Sequence, residues 1–204
     1  MINIYFDYLC PVAWRAVELA YALEQAGDAQ FELRHYSLEQ GNHPDNAADR
    51  HSPVWKLAEQ PQEGSRSLPQ FLASHAARRQ GRERFFCYVL ELFRLYHVEK
   101  RQLTEPQVLR EAAERAGLDL AQFDRDLQDE AGLRAELASD LEAADRLGVF
   151  GTPTVQLESG RAAYFRFTEL PETLEDKRAL WQLYRAVQGS PARIETIKRA
   201  RFSV

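Results

Sequence analysis

The residue best placed to do chemistry is Cys10. It stands where an apolar run, Ile2-Asn3-Ile4-Tyr5-Phe6, gives way to a helix opening Pro11-Val12-Ala13-Trp14-Arg15. A cysteine at such a junction caps the helix, and the unpaired N–H groups of the first turn, those of Val12 and Ala13, are aimed at its sulfur. That placement favours the thiolate, which is the nucleophilic form. Far downstream, Gly148-Val149-Phe150-Gly151-Thr152-Pro153-Thr154-Val155 sets a proline at the start of another strand. Together the two segments point to thiol chemistry, with Cys10 as the candidate catalytic residue.

Other reactive side chains make weaker cases. Helical spacing puts Cys87 off the face formed by Phe85, Val89, Leu92 and Tyr96, beside Glu91 and Arg94. That suits a small packing residue better than a resolving thiol. His43-Pro44-Asp45 with Asp49 and His51 matches no zinc spacing, and His35, His75 and His97 are scattered along the chain, so no metal site is expected. Tyr8, Trp14 and Tyr36 either wall a pocket around Cys10 or pack in the core. The basic tail Arg193, Lys198, Arg199 and Arg201 suits the end of a helix as well as it suits an acidic partner.

The elements that must position Cys10 are legible from periodicity. Ile2 to Asp7 is mostly apolar, as in a strand covered on both faces. A helix follows from Pro11, through Val17, Leu19, Ala20 and Leu23, to about Gly27. Phe31 to Tyr36 alternates as a second strand, and this β-α-β order implies a parallel pair. Leu38 to Ser52 reads as a long polar loop. Ser67 to Leu147 reads as helices broken at Gly81-Arg82, at Thr104-Glu105-Pro106 and at Gly117-Leu118-Asp119, with Thr104 as an N-cap. Phe85, Tyr88, Val89, Leu92, Phe93 and Tyr96 form the apolar face at the centre of that block. A hairpin is expected from Thr154 to Leu157 and from Ala162 to Phe167, turning at Glu158-Ser159-Gly160. A last helix, Leu174 to Val187, should bury Leu180, Leu183, Tyr184 and Val187, and the tail from Pro191 to Val204 suggests one more.

The chain has 204 residues, 45% of them hydrophobic and 28% charged, enough to bury a sizeable core. A net charge of −5 argues against nucleic acid or an anionic membrane as partner. No run approaches the roughly 20 apolar residues that span a bilayer. The N-terminus shows no basic segment ahead of an apolar core, so a cytoplasmic protein is expected. Two cysteines make no disulfide framework, and a reducing compartment keeps both free.

Three stretches, Phe6-Asp7-Tyr8-Leu9-Cys10-Pro11, the Leu118-Asp119 turn with Phe123, and Gly148 to Thr154, together with the element order, resemble the thioredoxin-like superfamily. More narrowly the chain resembles the DsbA group with a helical domain inserted mid-chain, which includes FrnE-like oxidoreductases, 2-hydroxychromene-2-carboxylate isomerase and kappa-class glutathione transferases. The resemblance implies an α/β, thioredoxin-like fold with an inserted all-helical domain: residues 1–40 and 148–204 form the thioredoxin-like part, and 41–147 the insertion. It implies that Pro153 is a cis-proline facing Cys10, and that Thr152 offers its backbone N–H and C=O to an extended partner. Pro11, Val12, Ala13, Trp14, Thr152 and Pro153 become the expected substrate-binding residues.

The departures are informative. A dithiol member of the group carries a second cysteine at the position of Ala13, and the isomerase and kappa branches carry serine at the position of Cys10. With C-x-x-A, a mixed disulfide at Cys10 must await an outside thiol. The leading expectation is a DsbA-like thiol–disulfide oxidoreductase with a single thiol. Its partner is a small thiol such as glutathione, or a disulfide-containing protein, with no tightly bound cofactor. The alternatives are a glutathione-dependent isomerase or transferase, and a non-catalytic binding module. A homodimer is compatible with the sequence.

Overall fold

The computed structural model describes residues 1–197. Strand β1 (Ile2–Phe6) leads into α1 (Pro11–Gln25) and β2 (Phe31–His35). The helices α2 (Leu38–Gly41), α3 (Leu68–Arg78), α4 (Arg82–His97), α5 (Pro106–Arg115), α6 (Leu120–Asp126) and α7 (Glu130–Leu147) follow. Strands β3 (Thr154–Gln156) and β4 (Ala162–Tyr164) and helix α8 (Leu174–Gly189) close the order. The sheet runs β2-β1-β3-β4, with β1 parallel to β2 and antiparallel to β3, which pairs antiparallel with β4. This is a thioredoxin-like mixed sheet with helices inserted between β2 and β3.

Side chains alternate across the sheet and choose their cover accordingly. Ile4 and Val155 are paired neighbours on one face and are covered by α1 and α8. Tyr5, the next residue along β1, points the other way and packs with Tyr36, Ala144 and Val149 against α7. The inserted helices do not form a core of their own. One continuous apolar cluster runs from Ile4, Phe6 and Leu33 of the sheet through Val17 and Leu23 of α1 to Phe71, Phe93 and Leu137 of the insertion.

Several local expectations need correction. Leu38 to Ser52 is not all loop: Ser37 caps α2, its hydroxyl accepting from Gln40 N at 2.9 Å, and Pro44–Asn46 forms a single 3₁₀ turn. The S-x-x-Q pattern at Ser37 is a capping signal that the polar composition of this stretch masked. Helix α5 is capped at Glu105 rather than Thr104, because Pro106 takes the first helical position and holds the residue before it extended. Strand β4 stops at Tyr164, short of Phe167. On α8, Trp181 and Tyr184 take the buried face, and Leu183 is 59% exposed. Trp181 meets Phe31 edge-on and Tyr184 donates its hydroxyl to the Val155 carbonyl. Residues 191–197 form no helix, and the remainder of the expected tail helix, with Lys198, Arg199 and Arg201, lies outside the described residues.

This packing makes a contrast that urea denaturation can read. Phe93→Ala, which empties a fully buried site, should cost about 3–5 kcal/mol. Leu183→Ala should stay within about 0.5 kcal/mol of the parent, as surface changes do. Comparable losses for the two would contradict the assigned face of α8.

Candidate functional site

Cys10 follows a turn whose hydrogen bonds are set by Asp7. The Asp7 carboxylate accepts from Leu9 N at 2.8 Å and from Leu38 N at 2.7 Å, while its carbonyl accepts from Cys10 N at 3.0 Å. Asp7 is fully buried, and that burial pushes its carboxyl up to about 7 despite the two backbone donors. Cys10 is the N-cap of α1, with extended φ and ψ and Pro11 at the first helical position.

The sulfur, however, takes no hydrogen bond from the helix N–H groups, contrary to the sequence expectation. Pro11 has no N–H to give, and Sγ turns across a gap to donate to the carbonyl of Thr152 at 3.3 Å. In this arrangement the group is a thiol with a carbonyl acceptor. A partner that draws the Thr152 carbonyl away would free the sulfur.

Thr152 is delivered by the loop that follows α7. Gly148 ends the helix in the left-handed region at φ 77°, a conformation that favours glycine. Val149 then anchors the loop in the small cluster with Tyr5 and Tyr36. The Thr152–Pro153 peptide is cis. Thr154 Oγ1 donates back to Gly151 O at 2.8 Å, and Phe165 N donates to Pro153 O at 3.0 Å, so both ends of the loop are tied. The Thr152 hydroxyl is buried and has no hydrogen-bond partner among the described residues. Phe150 and Tyr164 stand exposed beside this loop with ring centroids 5.6 Å apart.

Of the residues singled out from sequence, Cys10, Thr152 and Pro153 meet. Pro11 is exposed and Trp14 half-buried, whereas the side chains of Val12 and Ala13 face the core. Tyr8 and Tyr36 are core residues. Cys87 lies on α4 with its sulfur 3.9 Å from Tyr21 Oη, and the two cysteines are free.

Residues dispersed in sequence converge beneath the site in a way that spacing did not suggest. Tyr8 Oη and Ser74 Oγ are 2.6 Å apart, Ser74 Oγ lies 3.0 Å from His35 Nε2, and His35 Nδ1 lies 3.1 Å from Asp140 Oδ2. Burial drives His35 down to about 3, so the ring is neutral, with the Asp140 bond opposing that drop. Burial also works against ionised Asp140, but the His35 bond and the Arg78 charge outweigh it and hold the carboxyl below its usual range. His35, His75 and Asp140 each bring one ligating atom within 4.8 Å of the others. Asp140 is already met by Arg34 at 3.1 Å and Arg78 at 3.4 Å, however, and two guanidiniums on one carboxylate repel a further cation. The cluster is an anchor between α3, α7 and β2.

A cysteine capping the first helix, opposite a cis-proline loop that opens the third strand, defines the thioredoxin-like class with an inserted helical layer. The family model for the DSBA-like thioredoxin domain matches residues 1–177, and the chain belongs to that family. Its fold is shared with the cytosolic disulfide reductase DsbM of Pseudomonas aeruginosa, solved with GSH, at TM-score 0.60 and 24% identity over 90% of this chain and 98% of that one. A probable DsbA oxidoreductase of Streptomyces coelicolor gives TM-score 0.61 at 19% identity, covering 100% of this chain and 92% of that one. A 2-hydroxychromene-2-carboxylate isomerase gives 0.62 at 16% identity, covering 91% and 93%. The ClpXP adapter protein SpxH of Bacillus subtilis (strain 168) is 32% identical over 102 residues, which span 50% of this chain and 33% of that protein. The chain thus matches about a third of that curated relative's length.

Asp7 and His35 give stability opposite dependences on pH. Folded His35 stays neutral to about 3 while the unfolded residue charges near 6.5, so its contribution is lost as pH falls through that window. Folded Asp7 takes up its proton near 7 and the unfolded residue only near 3.8, so its contribution is gained on acidification. Asp7→Asn removes the gain. Relative to the parent, the variant should lose on the order of 4 kcal/mol between pH 7 and pH 4, read from urea midpoints. Parallel pH profiles would show that Asp7 is ionised throughout.

Proposed function

We propose that this protein is a thiol–disulfide oxidoreductase that works through Cys10 alone. The Cys10 thiolate attacks one sulfur of a disulfide, that S–S bond breaks, and the departing thiolate collects a proton from solvent. Cys10 is left in a mixed disulfide. A second thiol from solution attacks it, releases the bound half as a disulfide and returns Cys10 to the reduced state. One such cycle consumes one solution thiol and exchanges one disulfide for a mixed one. A further solution thiol attacks that released mixed disulfide, frees the remaining substrate thiol and leaves as the oxidised dimer of the small thiol. The electron pair for full reduction therefore comes from two solution thiols.

The observation that carries this reading is the 3.3 Å approach of Cys10 Sγ to the carbonyl before the cis-proline. An extended partner pairing with the Thr152 backbone would engage that carbonyl and lay its sulfur against Cys10. Exposed Phe150 and Tyr164 add apolar surface at the same mouth. Ala13, buried where a resolving thiol would sit, leaves resolution to an outside thiol. Glutathione is the small thiol favoured, in keeping with its presence in the DsbM structure. A disulfide-bearing protein is the other substrate class. A cytoplasmic setting supplies such a thiol, and no helix among the described residues is long and apolar enough to cross a membrane.

The part-length likeness to an adapter protein supports a second reading, a binding module that keeps the fold without the exchange. Incubation with oxidised glutathione separates the two. The exchange reading expects one glutathionyl group on Cys10, formed faster than on a free model thiol at pH 7 and removed by added reduced glutathione. Cys10→Ser and Cys10→Ala should both abolish the adduct at this position and any disulfide reductase activity. A Cys10 no more reactive than a model thiol favours the module. Retention of activity in Cys10→Ser alone would point to activation of a glutathione thiol for isomerase or transferase chemistry, since a hydroxyl cannot exchange disulfides.

A further inference from the structure

We propose that His97 is a positioning residue for Cys10, acting through the carbonyl of Tyr8; the inference rests on Cys10 being the reacting group. Tyr8 precedes Cys10 by two residues and is fully buried, and the inserted helices grip it at both ends. Ser74 of α3 meets its hydroxyl at 2.6 Å, and His97, the last residue of α4, lies with Nε2 2.8 Å from its carbonyl oxygen. A carbonyl only accepts, so Nε2 carries the proton and donates.

The backbone groups on either side of that carbonyl bond locally. Leu9 N goes to the Asp7 carboxylate, Cys10 N to the Asp7 carbonyl, and the Cys10 carbonyl accepts from Trp14 N at 3.4 Å. Among the described residues, His97 is the partner of the Tyr8 carbonyl. The imidazole is itself oriented, lying within 13° of parallel to the Trp14 indole at a centroid distance of 5.9 Å. Trp14 belongs to the first turn of the helix that Cys10 caps. One side chain of the insertion thus touches both sides of the cysteine, a backbone carbonyl before it and an aromatic ring after it. Burial, with Lys100 and Arg15 nearby, disfavours the charged imidazole, so the contact is a neutral N–H bond at pH 7.

Without that donor the Tyr8 carbonyl loses its partner, the turn relaxes, and Sγ leaves its place opposite Thr152. Disulfide exchange needs the attacking sulfur aligned with a partner held on the Thr152 backbone, so misplacement slows it. The alternative is that His97 merely fills space beside Trp14. Cys87 sits on the same helix and serves as an internal control, because destabilisation raises the reactivity of both cysteines.

The test is the rate of mixed-disulfide formation with oxidised glutathione at Cys10 and at Cys87, resolved by mass spectrometry in the same sample. His97→Phe keeps the stacking surface and removes the donor. It should slow Cys10 roughly 10- to 100-fold while Cys87 reacts as before. His97→Gln, whose amide can reach the carbonyl, should recover most of the rate. Should the phenylalanine variant not fold, His97→Asn, too short to reach Tyr8, takes its place. An unchanged Cys10 rate in a folded donorless variant, Cys10 and Cys87 shifting in step, or no recovery with glutamine would each overturn the assignment. A parent Cys10 no faster than Cys87 would instead overturn the oxidoreductase reading, so the two failures are distinct.

Discussion

The antiparallel pairing of β1 with β3 is the constraint from which the site follows. Tyr5 sits opposite Thr154 and Ile4 opposite Val155. In an antiparallel pair the end of one strand lies beside the beginning of the other. The chain leaving β1 toward Cys10 is therefore delivered next to the chain entering β3 from Thr152 and Pro153, although 142 residues separate the cysteine from the threonine. The parallel partner β2 instead brings its outgoing chain to the same end, where Leu38 N meets the Asp7 carboxylate beneath the cysteine turn. The inserted helices lengthen the connection without disturbing the register. The left-handed Gly148 and the buried Val149 bring it back on line.

The sulfur sits between two kinds of neighbour. On its own helix, N–H groups would welcome a negative charge, but they make no bond to it. Across the gap, the thiol donates to the Thr152 carbonyl. In the proposed exchange, an extended partner paired with the Thr152 backbone would take that carbonyl from the sulfur. Binding and activation would then be one event: the partner that takes the carbonyl would also be the one presented to the released sulfur. The scheme costs little in isolation, because a thiol is a weak donor and the bond it gives up is a weak one.

Sequence alone carried the element order and the location of Cys10, because strand periodicity, Pro11 and the apolar spacing of α1 are local signals. It also carried the β3–β4 hairpin, although β4 proved shorter. The meeting of Cys10 with Thr152 was implied by family resemblance and by nothing in the spacing. The His35–Ser74–Tyr8 chain and the contact from His97 were invisible, since residues on β2, α3 and α4 converge only through tertiary packing. Leu183 shows the converse error: helical spacing identified an apolar face, but bulky Trp181 and Tyr184 filled the available surface of the sheet and left the leucine outside. The sulfur's orientation was missed for a different reason, since a cap position specifies where a side chain begins and leaves its rotamer to the surroundings.

The apolar cluster that runs without a break from the sheet into the inserted helices has a bearing on how the molecule comes apart. An insertion with a separate core could melt first and leave the remaining fold standing. Here Phe93 and Leu137 are part of the same packed body as Ile4 and Leu33, and the buried Asp140 contacts join α7 to β2. Loss of either half would expose the apolar surface of the other, a cost that works against partial melting. The cysteine and the proline loop accordingly rest on one shared packed body rather than on two separable ones.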